Sequence, residues 1–327
     1  MIGEKESLPT FNLIRGVAAI LVCLFHFTSN SRLNYPSILN KVVEHGYTGV
    51  QVFFVLSGFV IPYSMYKGNY SLSKISTYLL KRISRIHPPY LASILLVLLL
   101  NYVFNISPYY STDLIEVDAQ GLFSHFLYLS NILGIDWYNS FYWSLAIEIQ
   151  FYILMSLLYS FVVNRSVIWI FFAVVLISLG YFFSSSIFIF THLPFFIAGI
   201  MVFRLAVKKD SIGVFLLSIS ANFIVLFIYS ENIHVILASL TSVVLILVFK
   251  SRSKIGEFLG NISYSIYLIH IPVGQIIIRI GVDYTSGIYS EILLVVISLA
   301  LTIVSSYIFY RLVEKPSKKL AQHFSYS

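Results

Sequence analysis

Residues 289–312 read YSEILLVVISLALTIVSSYIFYRL, and between Glu291 and Arg311 no Asp, Glu, Lys, Arg or His interrupts the run. A helix rises about 1.5 Å per residue, so about 20 such residues cross the ~30 Å hydrocarbon layer of a bilayer. Similar apolar runs, bounded by charges and turn residues, fall at roughly 11–29, 47–66, 88–105, 141–162, 167–183, 187–203, 211–229, 233–249 and 258–280. The pattern predicts an all-α integral membrane protein of about ten transmembrane helices. Composition agrees: 58% of the 327 residues are hydrophobic and 11% are charged, where a soluble domain carries about a quarter charged residues. Residues 121–135, GLFSHFLYLSNILGI, are apolar but short, which predicts a re-entrant or interfacial helix.

With the N-terminus placed in the cytoplasm, 18 of the 21 Lys and Arg residues fall on the inner side, and only Arg32, Lys41 and Arg279 fall outside. The outer loop 106–140 carries Asp113, Glu116, Asp118 and Asp136 and no basic residue. The positive-inside rule therefore predicts that both termini are cytoplasmic. It also accounts for the net charge of +7 without nucleic acid. The first apolar run ends in TSN, which supplies no small-x-small cleavage site, so it reads as an uncleaved helix. No repeat or low-complexity tract divides the chain. The expectation is a single transmembrane domain over 1–316 and a short cytoplasmic tail over 317–327.

Ionisable groups inside spans are costly and point to function. In FNLIRGVAAILVCLFHF (11–27), Arg15 and His26 lie eleven positions apart, close to three helical turns, so they share one face about 16 Å apart. Gly16, Ala18, Ala19 and Val22 lie on or beside that face and leave room for another backbone or a ligand. Taken singly, Arg15 reads as a snorkelling anchor and His26 as a packed helix histidine; together they suggest a site. Glu148 in FYWSLAIEIQFYI has Ser144 and Tyr152 one turn away on either side. A carboxylate at that depth must be protonated or paired, and His26, at similar depth, is the expected partner. Ser263, Tyr267 and His270 form a second polar stripe, with Pro272 expected to kink the helix beyond it. His125, His192 and His234 read as satisfied or solvated histidines near span ends. Cys23 is the single cysteine; it reads as a packing residue, and no intrachain disulfide is possible. In KRISRIHPPY, Arg82 and Arg85 share a helix face at the inner side, either as a positive-inside anchor or as a clamp gripping phosphate bidentately.

Together RGVAAILVCLFH (15–26), GVQVFFVLSGFVI (49–61), KRISRIHPPY (81–90), FYWSLAIEIQFY (141–152), SYSIYLIHIP (263–272) and RLVEKPSKK (311–319) resemble the acyltransferase 3 family of bacterial and animal membrane acyltransferases. They occur in the family's order and cover nearly the whole chain. The resemblance implies about ten core spans, acyl-CoA (often acetyl-CoA) as donor, and O-acylation of extracytoplasmic or surface carbohydrates. For this chain it implies a multi-pass protein of a bacterial inner membrane. Its partners would be the lipid bilayer, acyl-CoA as co-substrate and a carbohydrate acceptor, with no resident cofactor and no metal.

By position, Arg15 and His26 match the family's Arg–His motif, with His26 in the catalytic place. Arg82 and Arg85 match its paired arginines at the CoA end, and Glu148 its acidic residue after Trp-Ser. Around THLPFFIAG (191–199) the family often has an Arg and a Glu, where this chain has Thr191 or His192 and Phe195. Some members carry a further soluble hydrolase-like domain; without one, this chain would finish the transfer itself or hand over to another protein.

The mechanism expected from these residues seats the nucleotide on Arg82, Arg85 and Arg15 and runs the pantetheine arm up the small-residue face. His26 then acts as general base on the sugar hydroxyl, supported by Glu148. Ser57, Trp143 and Tyr267 are candidate oxyanion donors, and an acyl-histidine relay is a variant. The rival reading, a polysaccharide or lipid-linked sugar transporter or flippase, would be marked by an internal repeat, and none is found. A membrane scaffold would leave Glu148 and the Arg15–His26 face without a role.

Overall fold

The computed structural model describes residues 4–29, 43–106, 115–182, 185, 187–230, 232–250 and 253–324. Arg32, Lys41 and Asp113 lie outside them. Among the described residues every regular element is a helix. Lipid offers no partner to backbone N–H and C=O groups, and a helix pairs them within one segment.

Seven helical stretches are long and apolar enough to cross a membrane: Thr10–Thr28, Gly46–Lys67, Leu72–Asn105, Ser140–Val162, Ile189–Ala206, Lys254–Tyr284 and Ile288–Gln322. Three shorter apolar helices, Ser166–Gly180, Ile212–Ile228 and Ile233–Val248, fall on the remaining predicted runs. Their outer faces are apolar and bare: Val167, Phe171, Leu217, Phe227 and Ile228 are all largely exposed. A surface of that kind suits lipid and not water. The apolar segment at 121–135 forms two short helices, Ala119–Phe126 and Ser130–Leu133, neither long enough to span.

The helices that position the site are α1 (Glu4–Thr28), α2 (Gly49–Lys67), α3 (Ile75–Asn105), α4 (Trp143–Val162), α5 (Leu193–Ala206) and α6 (Lys254–Ile269). α3 begins well before the predicted span, because KRISRI continues the helix below the apolar run. α6 passes through a wide π-helical turn at His270–Gln275 before Ile276–Gly281 resumes it. Pro272, which cannot donate a backbone hydrogen bond, lies in that turn. A second wide turn, Tyr310–Glu314, links Ile288–Phe309 to the last helix, Lys315–Gln322.

α1 packs along α6, α2 along α5, and the last helix against α3. Small residues set the first two contacts. Gly16 lies against Leu259 and Gly260, and Gly58 and Gly199 face each other across the α2–α5 crossing. Behind that crossing the rings of Phe54, Phe151 and Phe196 stack, with centroids 4.7 Å (Phe54–Phe196) and 4.1 Å (Phe151–Phe196) apart. Two polar clusters tie helix ends together. Fully buried Arg204 donates to Asp210 through Nε (2.6 Å) and Nη2 (2.5 Å), and through Nη1 to the carbonyls of Val162 and Asn164. Glu314 accepts from the Ser265 backbone N–H (3.1 Å), Ser265 Oγ (2.5 Å) and Lys318 Nζ (2.6 Å).

Candidate functional site

Five helices leave a cavity among them, with an empty volume of about 860 Å³ including its open part. α1 contributes Arg15, α2 Phe54 and Ser57, α3 Arg82 and Arg85, α4 Ser144, Glu148 and Tyr152, and α6 Ser263, Tyr264 and Tyr267. The spacing explains the convergence. Arg82 and Arg85 are one turn apart on α3, and Ser144, Glu148 and Tyr152 follow at i, i+4 and i+8, so each helix turns a single stripe inward.

The cavity is polar at two levels. At one, three guanidinium groups stand in the wall with one carboxylate, Glu148, among the lining residues. Arg82 donates to Ser64 Oγ and lies over the rings of Tyr78 and Tyr152, 5.5 and 5.8 Å from their centroids. Neither Arg15 nor Arg85 makes a hydrogen bond or ion pair to another described residue. At the other level is a cluster of hydroxyls. Tyr152 donates to Glu148 Oε1, and Ser57 Oγ lies 3.5 Å from the same oxygen. Ser144 Oγ and Tyr267 Oη share a 2.5 Å hydrogen bond.

Of the residues singled out in the sequence, Arg15, Ser57, Arg82, Arg85, Glu148 and Tyr267 meet in this cavity. Trp143, His26 and His270 do not line it. The Trp143 ring packs 5.4 Å from that of His192 and 6.3 Å from that of Phe54. His26 and His270 stand behind Tyr267: the Tyr267 and His270 rings are 5.9 Å apart, and the His270 and His26 rings 5.1 Å.

Two expectations change here. Depth alone paired His26 with Glu148, but among the described residues no hydrogen bond or ion pair joins them. Glu148 is held by Tyr152 and Ser57, and the aromatic neighbours of His26 are His270 and Phe25. The small-residue face of α1 is also not an open track. Ala19 is fully buried, Gly16 lies against α6, and Gly49 of α2 approaches the Ala18 carbonyl. The residues leave room for backbone, and backbone fills it; the open space lies among α2, α3, α4 and α6, with Arg15 of α1 in its wall.

The histidines read as satisfied or solvated divide. His125 is buried and fully bonded, Nδ1 to the Gly121 carbonyl (2.8 Å) and Nε2 accepting from the Tyr138 N–H (2.9 Å). Burial pushes its pKa below the usual histidine range. His192 packs in the Trp143–Phe54 cluster. Cys23 is fully buried, a packing residue. Sequence reading missed Tyr264, which lines the cavity and donates to the Ile86 carbonyl at 2.9 Å. Its position three residues before Tyr267 was the available signal.

The acyltransferase 3 model, described as an acyltransferase domain, matches residues 8–311. The O-acetyltransferase OatA of Staphylococcus aureus strain NCTC 8325 is 27% identical over 367 residues, covering 97% of this chain and 58% of that protein. A putative acetyltransferase of Acidianus two-tailed virus is 26% identical over 312 residues, 85% of this chain and 87% of the viral protein. A putative O-acetyltransferase of S. aureus strain COL is 26% identical over 383 residues, 97% and 58% of the two chains. The chain thus spans less than two thirds of the staphylococcal relatives it matches. No solved structure matches it.

Proposed function

The chain belongs to the acyltransferase 3 family, and from that membership we propose that it moves an acetyl group from acetyl-CoA to a hydroxyl of a surface or lipid-linked carbohydrate, working as a multi-pass protein of a bacterial inner membrane. One observation carries the reading: Arg15, Arg82 and Arg85 converge on one cavity with a single carboxylate among its lining residues. CoA is a polyanion, and guanidinium groups that converge on one cavity are placed to grip its phosphates. The apolar side chains that also line the cavity, Phe53, Phe54, Leu56, Val60 and Ile61, suit the pantetheine arm.

The thioester then lies near the Ser144–Tyr267 pair, on the cavity side of His270 and His26. The acceptor approaches from the opposite side. His26 takes the proton of the sugar hydroxyl as its oxygen attacks the thioester carbonyl. The oxyanion needs donors that strengthen as it forms, and Tyr267 and Ser57 are the candidates on the wall. Collapse of the tetrahedral intermediate expels the CoA thiolate, which takes the proton from the His26 imidazolium, leaving an acetyl ester and free CoA. Glu148, bonded to Tyr152 and Ser57, orders the hydroxyl cluster.

The test is transfer of label from [14C]acetyl-CoA in permeabilised cells that express the chain, read as base-labile label in the isolated glycan. Expression-dependent ester label supports the proposal. Label that stays in CoA, or appears in lipid alone, refutes the carbohydrate acceptor.

A further inference from the structure

His270 is the eighth residue of SYSIYLIHIP and opens the wide turn of α6. It is fully buried. Its Nδ1 lies 2.7 Å from the Tyr267 carbonyl oxygen, and a carbonyl can only accept, so Nδ1 carries the ring proton. Nε2 is then a bare lone pair. That nitrogen is buried and has no hydrogen-bond partner among the described residues, an arrangement rare enough in folded proteins to ask for a reason.

The reason lies at the next ring. The His26 and His270 centroids are 5.1 Å apart. A head-on N–H···N bond of about 2.9 Å, with about 1.1 Å from each nitrogen to its ring centre, needs that same separation. The rings are tilted by 42°, so a turn of the His26 ring about its side-chain bonds would complete the contact. Among the described residues the other aromatic rings around His270 are Phe141 at 5.0 Å and Tyr267 at 5.9 Å; Phe141 has no donor, and the Tyr267 hydroxyl is engaged by Ser144 Oγ and the Phe141 carbonyl. Glu148, the carboxylate expected to support His26, is engaged by Tyr152 and Ser57.

Resting on the reading of His26 as general base, we propose that His270 is its positioning partner: the Nε2 lone pair accepts the N–H of the His26 imidazolium at the moment that ion forms. The Tyr267 carbonyl holds His270 in the one tautomer able to do so. This is the part a carboxylate plays in a hydrolytic triad, performed by a neutral ring. Because the partner is uncharged, His26 is free to rest neutral and able to take a proton.

The test compares His270→Gln, His270→Leu and the parent at matched membrane amounts, using [14C]acetyl-CoA in permeabilised cells. Leu fills the space without an acceptor, and transfer should fall about 10- to 100-fold at saturating donor, the rate equivalent of one charge-assisted hydrogen bond. The KM for acetyl-CoA should stay within about twofold. Gln can place Oε1 where Nε2 was and should recover most of the loss. A packing role predicts the reverse order, with apolar Leu tolerated at least as well as Gln, and that result overturns the proposal.

Should both variants fail to accumulate, 15N-histidine spectra of the parent in detergent decide. A His270 proton on Nδ1 supports the proposal, and one on Nε2 overturns it. Unchanged transfer by His26→Ala would defeat the general-base reading itself. A dead His26→Ala with equal Gln and Leu variants at 270 would defeat this inference alone.

Discussion

The α2–α5 crossing fixes one wall of the cavity, and replacing Gly58 by Ala tests how tightly. A Cβ on Gly58 would stand 2.1 Å from the Phe196 carbonyl oxygen, where ordinary contact begins at 3.4 Å, leaving a shortfall of 1.3 Å (3.4 − 2.1). The obstructing atom is backbone, which cannot rotate aside as a side chain can, so the helices must part. Overpacking of this kind costs about 1–3 kcal/mol. The same displacement shifts Ser57, the preceding residue, relative to Glu148, whose Oε1 it meets at 3.5 Å. Misplacement of about 1 Å at a reacting centre can cost about 100-fold in rate. Gly58→Ala should therefore insert, melt several degrees lower in detergent and lose about 10- to 100-fold in acetyl transfer. Gly213, with nothing within 4 Å of its Cβ position, is the control, and Gly213→Ala should be neutral or slightly stabilising. A Gly58→Ala protein as stable and active as the parent would refute the argument that this crossing sets the site.

Asp210→Asn leaves the Arg204 guanidinium buried against a neutral partner and should cost about 3–5 kcal/mol; thermal unfolding in detergent checks this, and an unchanged midpoint contradicts it. Because the pair lies away from the cavity, the surviving folded fraction should keep its transfer rate per molecule. Replacing Arg82 and Arg85 together by Gln should weaken acetyl-CoA binding by at least tenfold in a calorimetric or filter assay, and Lys at both should recover it only in part, since the bidentate contact is lost. In a Cys23→Ala background, Glu116→Cys should react with an impermeant maleimide from outside the cell, and Lys209→Cys only after permeabilisation. The opposite pattern would invert the topology.

The spans were legible because a bilayer imposes a simple length and polarity rule, and the long apolar runs such as 141–162 and 289–312 fall on long helices. Ser57, Glu148 and Tyr267, which line the cavity, stood out because each is a polar group on an apolar helix, where it needs a reason to be, and Arg82 and Arg85 because they share one helix face at the inner side. What the one-dimensional reading lacked was azimuth. His26 and Glu148 sit at similar depth, but depth does not say which helices are neighbours, and α1 packs against α6 and α2. The role of small residues was open for the same reason: Gly16 and Ala19 make space, and only the packing tells whether helix or ligand takes it. Arg204 lies just past the predicted run 187–203, and its i+6 relation to Asp210 across a turn follows no helical spacing rule. Glu314 was passed over, although its i, i+4 pairing with Lys318 was readable in RLVEKPSKK.

The proposed transfer depends on His26 as the general base. It is tested most directly by His26→Ala, with acetyl transfer from [14C]acetyl-CoA and acetyl-CoA binding measured on the same preparation at matched amounts of inserted protein. A general base contributes about a hundred- to ten-thousand-fold, so transfer should fall to background while the cavity, which His26 does not line, binds acetyl-CoA as the parent does. Near-normal transfer by an inserted His26→Ala protein would contradict the account and leave this histidine a packing residue of α1.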